Sequence, residues 1–349
     1  MKVAVITDTH YGCRKGSHLF HNYFEQFYSE VFFPSLDELG IKHVIHMGDV
    51  FDSRKGIEFK SLQWAKRVVF EPLRRRGITV HMMVGNHDAY YKNTNDVNAV
   101  ELLLEEYDNI ITYSKVGEAE LDGLKVLYVP WINEENEKET ITKIKNTEAK
   151  VAFGHLELNG FKVNKFVNMD HGLDSDCFDR FDKVFSGHFH TRSDNGKIFY
   201  LGNPYEMFWT DVLDNRGFTI FDTATLEHYP INNPLRLFYN IYYEDTDYRM
   251  FDAREYENKL CKLIVRKKSD IVQFEKFVDK LYASGVADLK VVENFEFNGW
   301  YGGEDDETIE SEDTLSILNR YIDESETELD KWRVQNITRE IYQEACELI

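Results

Sequence analysis

Cysteine is scarce in this chain. Cys13, Cys177, Cys261 and Cys346 are far apart and never in CxxC spacing, which excludes a disulfide framework and a structural zinc finger and fits reduced thiols in a cytoplasmic setting. Long apolar runs are also missing. The opening stretch turns polar at Asp8, and no later segment approaches the roughly 20 residues of a membrane span, so neither a targeting segment nor membrane contact is expected. Positive charge is in deficit: 41 Lys and Arg face 62 Asp and Glu, a formal net charge of −21. That balance argues against a protein that grips nucleic acid by electrostatics alone. Bound divalent cations would reverse the field locally, and part of the acidity is gathered toward the C-terminus. No internal repeat is present. What the chain has is length, 349 residues, and a 42% hydrophobic, 14% aromatic composition able to fill a sizeable core.

The apolar pattern alternates between strand and helix. Lys2 to Thr7 and Ile41 to Met47 read as buried strands, each ending in polar residues, and Thr79 to Val84 reads as a third. Between them Phe20, Phe24, Phe27, Tyr28, Val31 and Phe32, then Trp64, Val68 and Leu73, recur at helical spacing. Further strands are predicted at Lys125–Val129, Val151–Phe153, Lys183–Ser186, Ile198–Leu201 and Gly217–Phe221, giving an α/β architecture of two facing sheets flanked by helices over 1–233. The pattern breaks near Pro234. A small βαβ cap domain is predicted for 234–298, with strands at Leu260–Val265 and Leu289–Phe297 and a helix, capped by Ser269, carrying Ile271, Phe274, Phe277, Val278 and Leu281. An acidic linker follows at 299–313, then amphipathic helices over 314–349 bearing Leu315, Leu318, Ile322, Ile337 and Ile341.

Five short motifs follow predicted strands in order: Asp8-Thr9-His10, Gly48-Asp49-Val50-Phe51-Asp52, Gly85-Asn86-His87-Asp88, Gly154-His155 and Gly187-His188-Phe189-His190. Strand ends are where side chains can leave the ladder and converge on a cleft. Each motif alone is weak, since a lone DxH is usually an ordinary strand end and a lone GHxH usually a turn. The ordered set is specific. Its mixture of imidazole, carboxylate and one amide suits manganese, iron or zinc better than calcium or magnesium, and two ions about 3.5–4 Å apart could share a carboxylate such as Asp49. His18, His21, His43, His46 and His81 lie outside the motifs and read as core or surface histidines.

These residues complete the pattern DxH, GDxxD, GNH[DE], H, GHxH and so resemble the calcineurin-like metallophosphoesterases. The resemblance implies that Asp8, His10, Asp49 and His190 hold one metal and Asp49, Asn86, His155 and His188 the other. It also implies that a hydroxide activated by the two metals attacks phosphorus. His87 would act on the leaving oxygen, with Asp88 orienting its ring, and Asp52 would stand behind the ligands. The domain order resembles the Mre11/SbcD nucleases. Gly48 to Lys55, Val84 to Asp88, Pro130-Trp131, Gly154 to Phe161, Ser186 to Thr191 and Arg216-Gly217-Phe218 look most like the nuclease subunit of T4-like phage recombination endonucleases. That resemblance implies a manganese-dependent DNA exonuclease and endonuclease serving recombination, repair and phage replication in the cytoplasm of the host cell. It further implies a homodimer within a complex whose ATPase, a coiled-coil protein of the Rad50/SbcC kind, binds the terminal helices. A phosphatase or phosphodiesterase acting on small molecules or phosphoproteins would use the same site but leave those helices unexplained. A metal-free interaction scaffold should have lost ligands, and none is missing.

Overall fold

The computed structural model describes residues 1–163, 168–169, 172–268 and 270–293, with a few isolated positions between 322 and 338. Chain contacts divide it into two compact units, Met1–Asn294 and Phe295–Ile349. The first is an α/β sandwich. One sheet runs, in spatial order, His228–Asn232, Gly217–Asp222, Lys2–Ile6, His43–His46, Thr79–Met83 and Ile110–Tyr113. The other runs Ser193–Asp194, Ile198–Tyr200, Lys183–Gly187, Val151–His155, Leu124–Val129 and Gly117–Leu121. Each has a parallel centre; antiparallel pairing lies at both margins of the second sheet but at only one margin of the first, whose other margin strand, Ile110–Tyr113, is parallel. In a parallel ladder all carboxyl ends emerge on one side, so the ends of five central strands face a common edge.

Alternation along the strands divides the core. Val3, Val5, Ile45, Met47 and Met83 of the first sheet meet Val126, Tyr128, Val151, Phe153 and Phe185 of the second in the layer between them. Their neighbours Ala4, Ile6, Val44, Val80 and Met82 point the other way, onto Phe20, Phe24, Phe27, Trp64 and Phe70. Those aromatic residues come from two helical stretches, one spanning His18–Gln26, Phe27–Phe32 and Phe33–Glu38, the other Phe59–Ala65, Lys66–Phe70 and Glu71–Arg75. The outer face of the second sheet is covered by Ile144, Phe178 and Phe181. A residue period of two therefore gives each strand one sheet-facing and one helix-facing side.

Beyond Asn233 a three-stranded parallel sheet, Phe238–Tyr242, Leu260–Val265 and Asp288–Glu293, packs against the helix Ile271–Ala283. The strand at Leu260–Val265 and the apolar face of Phe274, Phe277 and Leu281 match the sequence expectation, whereas Ile271, expected on that face, is exposed at the start of the helix. The helix cap is Asp270, whose side chain accepts from Gln273 N, rather than Ser269, which lies outside the described residues together with the end of the strand expected to reach Phe297. Most of the expected linker and terminal helices also lie outside them. Among the described residues no helix is long and apolar enough to cross a membrane. Strands the sequence did not signal, such as Ile110–Tyr113, Gly117–Leu121 and the hairpin of Ala89–Tyr91 with Thr94–Asn98, are short and partly exposed, so they carry little apolar alternation.

His81, inside the first sheet, stacks on Tyr128 with ring centroids 5.3 Å apart and contacts the Tyr113 hydroxyl through Nδ1 at 3.2 Å. Burial, aided by His43, pushes it down to about 4. Between about pH 6.5 and this value the unfolded chain binds the proton and the folded chain does not. The stabilisation is thus complete above about pH 6.5 and is lost as pH falls toward 4. In urea titrations His81→Phe, which keeps the stacking, should lose less stability than the parent between pH 7 and pH 5; equal losses would refute this assignment.

Candidate metal centre

All seven expected ligands converge at the shared edge. Asp8 follows the strand Lys2–Ile6, Asp49 and Asn86 follow His43–His46 and Thr79–Met83, His155 ends Val151–His155, and His188 and His190 follow Lys183–Gly187. Ligand atoms of Asp8, His10 and His190 lie within 4.8 Å of one another, as do those of Asp49, His155 and His188, and those of His10, Asp49 and His87. Asp49 Oδ2 stands 3.7 Å from His10 Nε2 and 3.4 Å from His155 Nε2, between the two donor groups. Asn86 Oδ1 joins His155 Nε2 at 2.8 Å and His188 Nδ1 at 2.9 Å, and the Nε2 atoms of His10 and His190 approach to 3.2 Å. Nitrogen and oxygen donors converging at such separations, two carboxylates among them, fit two divalent cations.

Outward contacts orient the rings. His155 Nδ1 donates to the Met47 carbonyl at 2.9 Å, which leaves the Nε2 lone pair facing the centre. Asp52 Oδ1 stands 3.4 Å from His10 Nδ1, an ion-pair distance, and Glu157 Oε2 lies 3.5 Å from His188 Nε2. The backbone N–H of His188 donates to both Asp8 oxygens at 3.1 Å, and that of His87 donates to Asp49 Oδ1 at 2.8 Å. The convergence needs unusual backbone: Asp8, His10, Asp49 and His188 all have positive φ, a region that costs a non-glycine residue on the order of 1–3 kcal/mol. It also needs room. A Cβ on Gly85 would overlap the backbone nitrogen and carboxylate of Asp49.

Electrostatics follow from this crowding. Burial opposes charge on His10 and His155, yet the Asp52, Asp49 and Asp8 carboxylates raise His10 to about 9, and Asp49 and Asp8 raise His155 to about 9. Asp49 is also buried, but the imidazoles of His155, His87 and His10 hold it well below the usual carboxylate range. Asp8 moves up, because burial and Asp49 together outweigh His155. The carboxylates thus create a field that favours positive charge at the centre.

Asp88 departs from its expected role. Instead of orienting the His87 ring, it accepts backbone N–H groups from Val50 at 3.0 Å, Phe51 at 3.0 Å and Gly85 at 2.9 Å. The partner of the His87 ring is the Asp52 carbonyl, 2.7 Å from Nδ1. Asp88 is a pin between two loops because a carboxylate has acceptor capacity for several donors and the buried turn leaves these N–H groups no water. Its place in the motif gave the residue but not the partner. Glu157 and Arg216, which touch the candidate ligands His188 and His190, stood in the sequence only within segments of the family resemblance, with no role attached. Asp88→Ala leaves three buried donors without acceptors and should lower unfolding stability by on the order of 3 kcal/mol or more in urea titration.

Residues 1–192 match the calcineurin-like phosphoesterase family. The chain is 33% identical over 311 residues to "Exonuclease subunit 1" of Enterobacteria phage T4, covering 88% of this chain and 89% of that protein. Among solved structures, an archaeal phosphodiesterase aligns at 14% identity with a TM-score of 0.36, covering 67% of this chain and all of the other. The purple acid phosphatase PPD1 of yellow lupin seeds aligns at 9% identity with a TM-score of 0.39, covering 66% and 52%. Neither overlay carries an argument at those scores. The five motifs on their strand ends, the match over residues 1–192 and the T4 relative place this chain in the calcineurin-like phosphoesterase family, whose members use divalent metals.

Proposed function

We propose that this protein is the nuclease subunit of a DNA-processing complex, an exonuclease and endonuclease that hydrolyses phosphodiesters with two Mn2+ ions. The observation that carries this reading is the similarity to the T4 exonuclease subunit, which extends over 88% of the chain and well past the matched phosphoesterase region. Asp8, His10, Asp49 and His190 would hold one ion and Asp49, Asn86, His155 and His188 the other. Ions bound there would supply Lewis acidity and neutralise charge developing on the phosphate oxygens.

The chain's own residues supply the rest. His87 sits beside His10, ring centroids 4.8 Å apart, with Nδ1 committed to the Asp52 carbonyl. Its Nε2 is therefore the atom available to hand a proton to the leaving oxygen. The backbone N–H of the same residue holds Asp49, so acid and shared carboxylate are fixed to one another. Residues 1–233 form the catalytic domain in this reading, 234–298 position DNA, and 299–313 link to the helices of 314–349.

The acidic charge is reconciled with DNA by a partner. The T4 relative is by name a subunit, and an ATPase of the Rad50/SbcC kind bound to residues 314–349 would contribute much of the DNA grip, with two copies of this chain in the complex. A phosphatase of small molecules or phosphoproteins would share the centre, but the extent of the T4 similarity favours the nuclease.

Purified protein with Mn2+ is expected to degrade linear duplex DNA, faster with its ATPase partner and ATP. Rapid cleavage of a generic phosphodiester with DNA untouched in the partner's presence would sink the nuclease reading. His87→Ala should lower kcat by about 100-fold or more while Mn2+ binding, followed by calorimetry, is retained. Removing residues from Thr314 onward should abolish capture of the ATPase in a pull-down.

A further inference from the structure

Arg216 lies outside every motif that supplies a ligand, yet it is 2% exposed and reaches the centre. Its Nη1 donates to the backbone carbonyl of His190 and to Asn203 Oδ1, and its Nη2 donates to Asp211 Oδ1 and Asp214 Oδ2, each at 2.9 Å. A buried guanidinium is costly and contributes little net stability even when paired with carboxylates. Neutralising Asp211 and Asp214 occupies Nη2 alone. Nη1 is committed to the carbonyl of a candidate ligand and to the asparagine beside it.

That carbonyl is enclosed. Asn203 N also donates to it at 3.3 Å, and a Cβ on Gly202 would stand 2.6 Å from it, so the loop can approach only because glycine, at φ +69°, occupies that position. The next residue is tied to the same group: Thr191 Oγ1 donates to Asp214 Oδ2 at 3.3 Å. The loop also holds the backbone beside the other imidazole of this donor set, since Tyr205 Oη donates to the carbonyl of Thr9, the residue before His10, at 2.6 Å. Asp211, in turn, accepts from Met207 N at 2.8 Å and Phe208 N at 3.0 Å and gives the loop its shape.

From this geometry we infer that Arg216 is a positioning residue for the metal centre, which holds the His190 backbone against loop 202–216 and so sets the spacing between the His10 and His190 imidazoles. The inference rests on the reading of His190 as a metal ligand. A planar fork with several donors can satisfy a carbonyl and two carboxylates at once; an ammonium cannot do so in fixed directions. Outer contacts of this kind typically change metal affinity by about 10–100-fold when removed.

The test compares the full chain with Arg216→Met, Arg216→Lys and His190→Ala. Mn2+ affinity and stoichiometry are measured from the paramagnetic resonance of free Mn2+, and folding is followed by circular dichroism without metal. Arg216→Met is expected to weaken one of two Mn2+ sites by about 10-fold or more, and Arg216→Lys to recover part of the loss. His190→Ala is expected to weaken the same site. If Arg216→Met does not fold, Arg216→Lys, which keeps a cation between Asp211 and Asp214, decides the matter by its own loss of affinity. Parental affinity in the folded Arg216 variants alongside a weakened His190→Ala overturns the positioning role. Parental affinity in His190→Ala instead overturns the ligand reading beneath it.

Discussion

Two carboxylates withdrawn from water at one edge of a sandwich are the constraint on which the rest of this structure depends. Asp8 and Asp49 are buried, and a buried charge must be compensated by hydrogen bonds, counter-charges or metal. The backbone N–H groups of His188 and His87 reach them, and the surrounding imidazoles feel their field strongly enough to move His10 and His155 up to about 9. The same negative field makes the edge a place for cations.

That requirement propagates outward through the backbone. Four of the seven converging residues adopt left-handed conformations, which persist only where surrounding contacts over-determine them. The contacts are identifiable: Asp88 pins the loops after two strands, Met47 and Asp52 orient imidazoles, and Arg216 fastens the carbonyl of His190. Behind these the parallel strands and the aromatic layer around Phe153 and Phe185 keep the two sheets in register, so strain at the edge is borne by a packed core. Chemistry at the edge and packing beneath it are thus parts of one arrangement.

Much of this was legible from one dimension. Val3 and Val5 alternating with Ala4 and Ile6 announced a strand buried on both faces, and Phe20, Phe24 and Phe27 announced the helix beside it, because strand and helix periods are local. The hairpin after Asp88 and the strand Gly117–Leu121 were not legible, since short, half-exposed edges need little apolar pattern. The role of Asp88 was misread for a related reason: adjacency to His87 suggested a contact, whereas the chain turns its carboxylate toward Val50, Phe51 and Gly85.

The sequence by itself determined the order of the buried strands and the helices beside them, the seven candidate donor residues and the family to which the chain belongs, because these reside in local periodicity and short motifs. Only tertiary structure decided that Asp49 stands between the His10 and His155 imidazoles, that Asp52 rather than Asp88 meets the His87 ring, and that Arg216 closes on His190 from 26 residues away. Those facts depend on which loops meet when two sheets pack, and non-local contacts leave no fixed spacing in the chain for a sequence pattern to reveal.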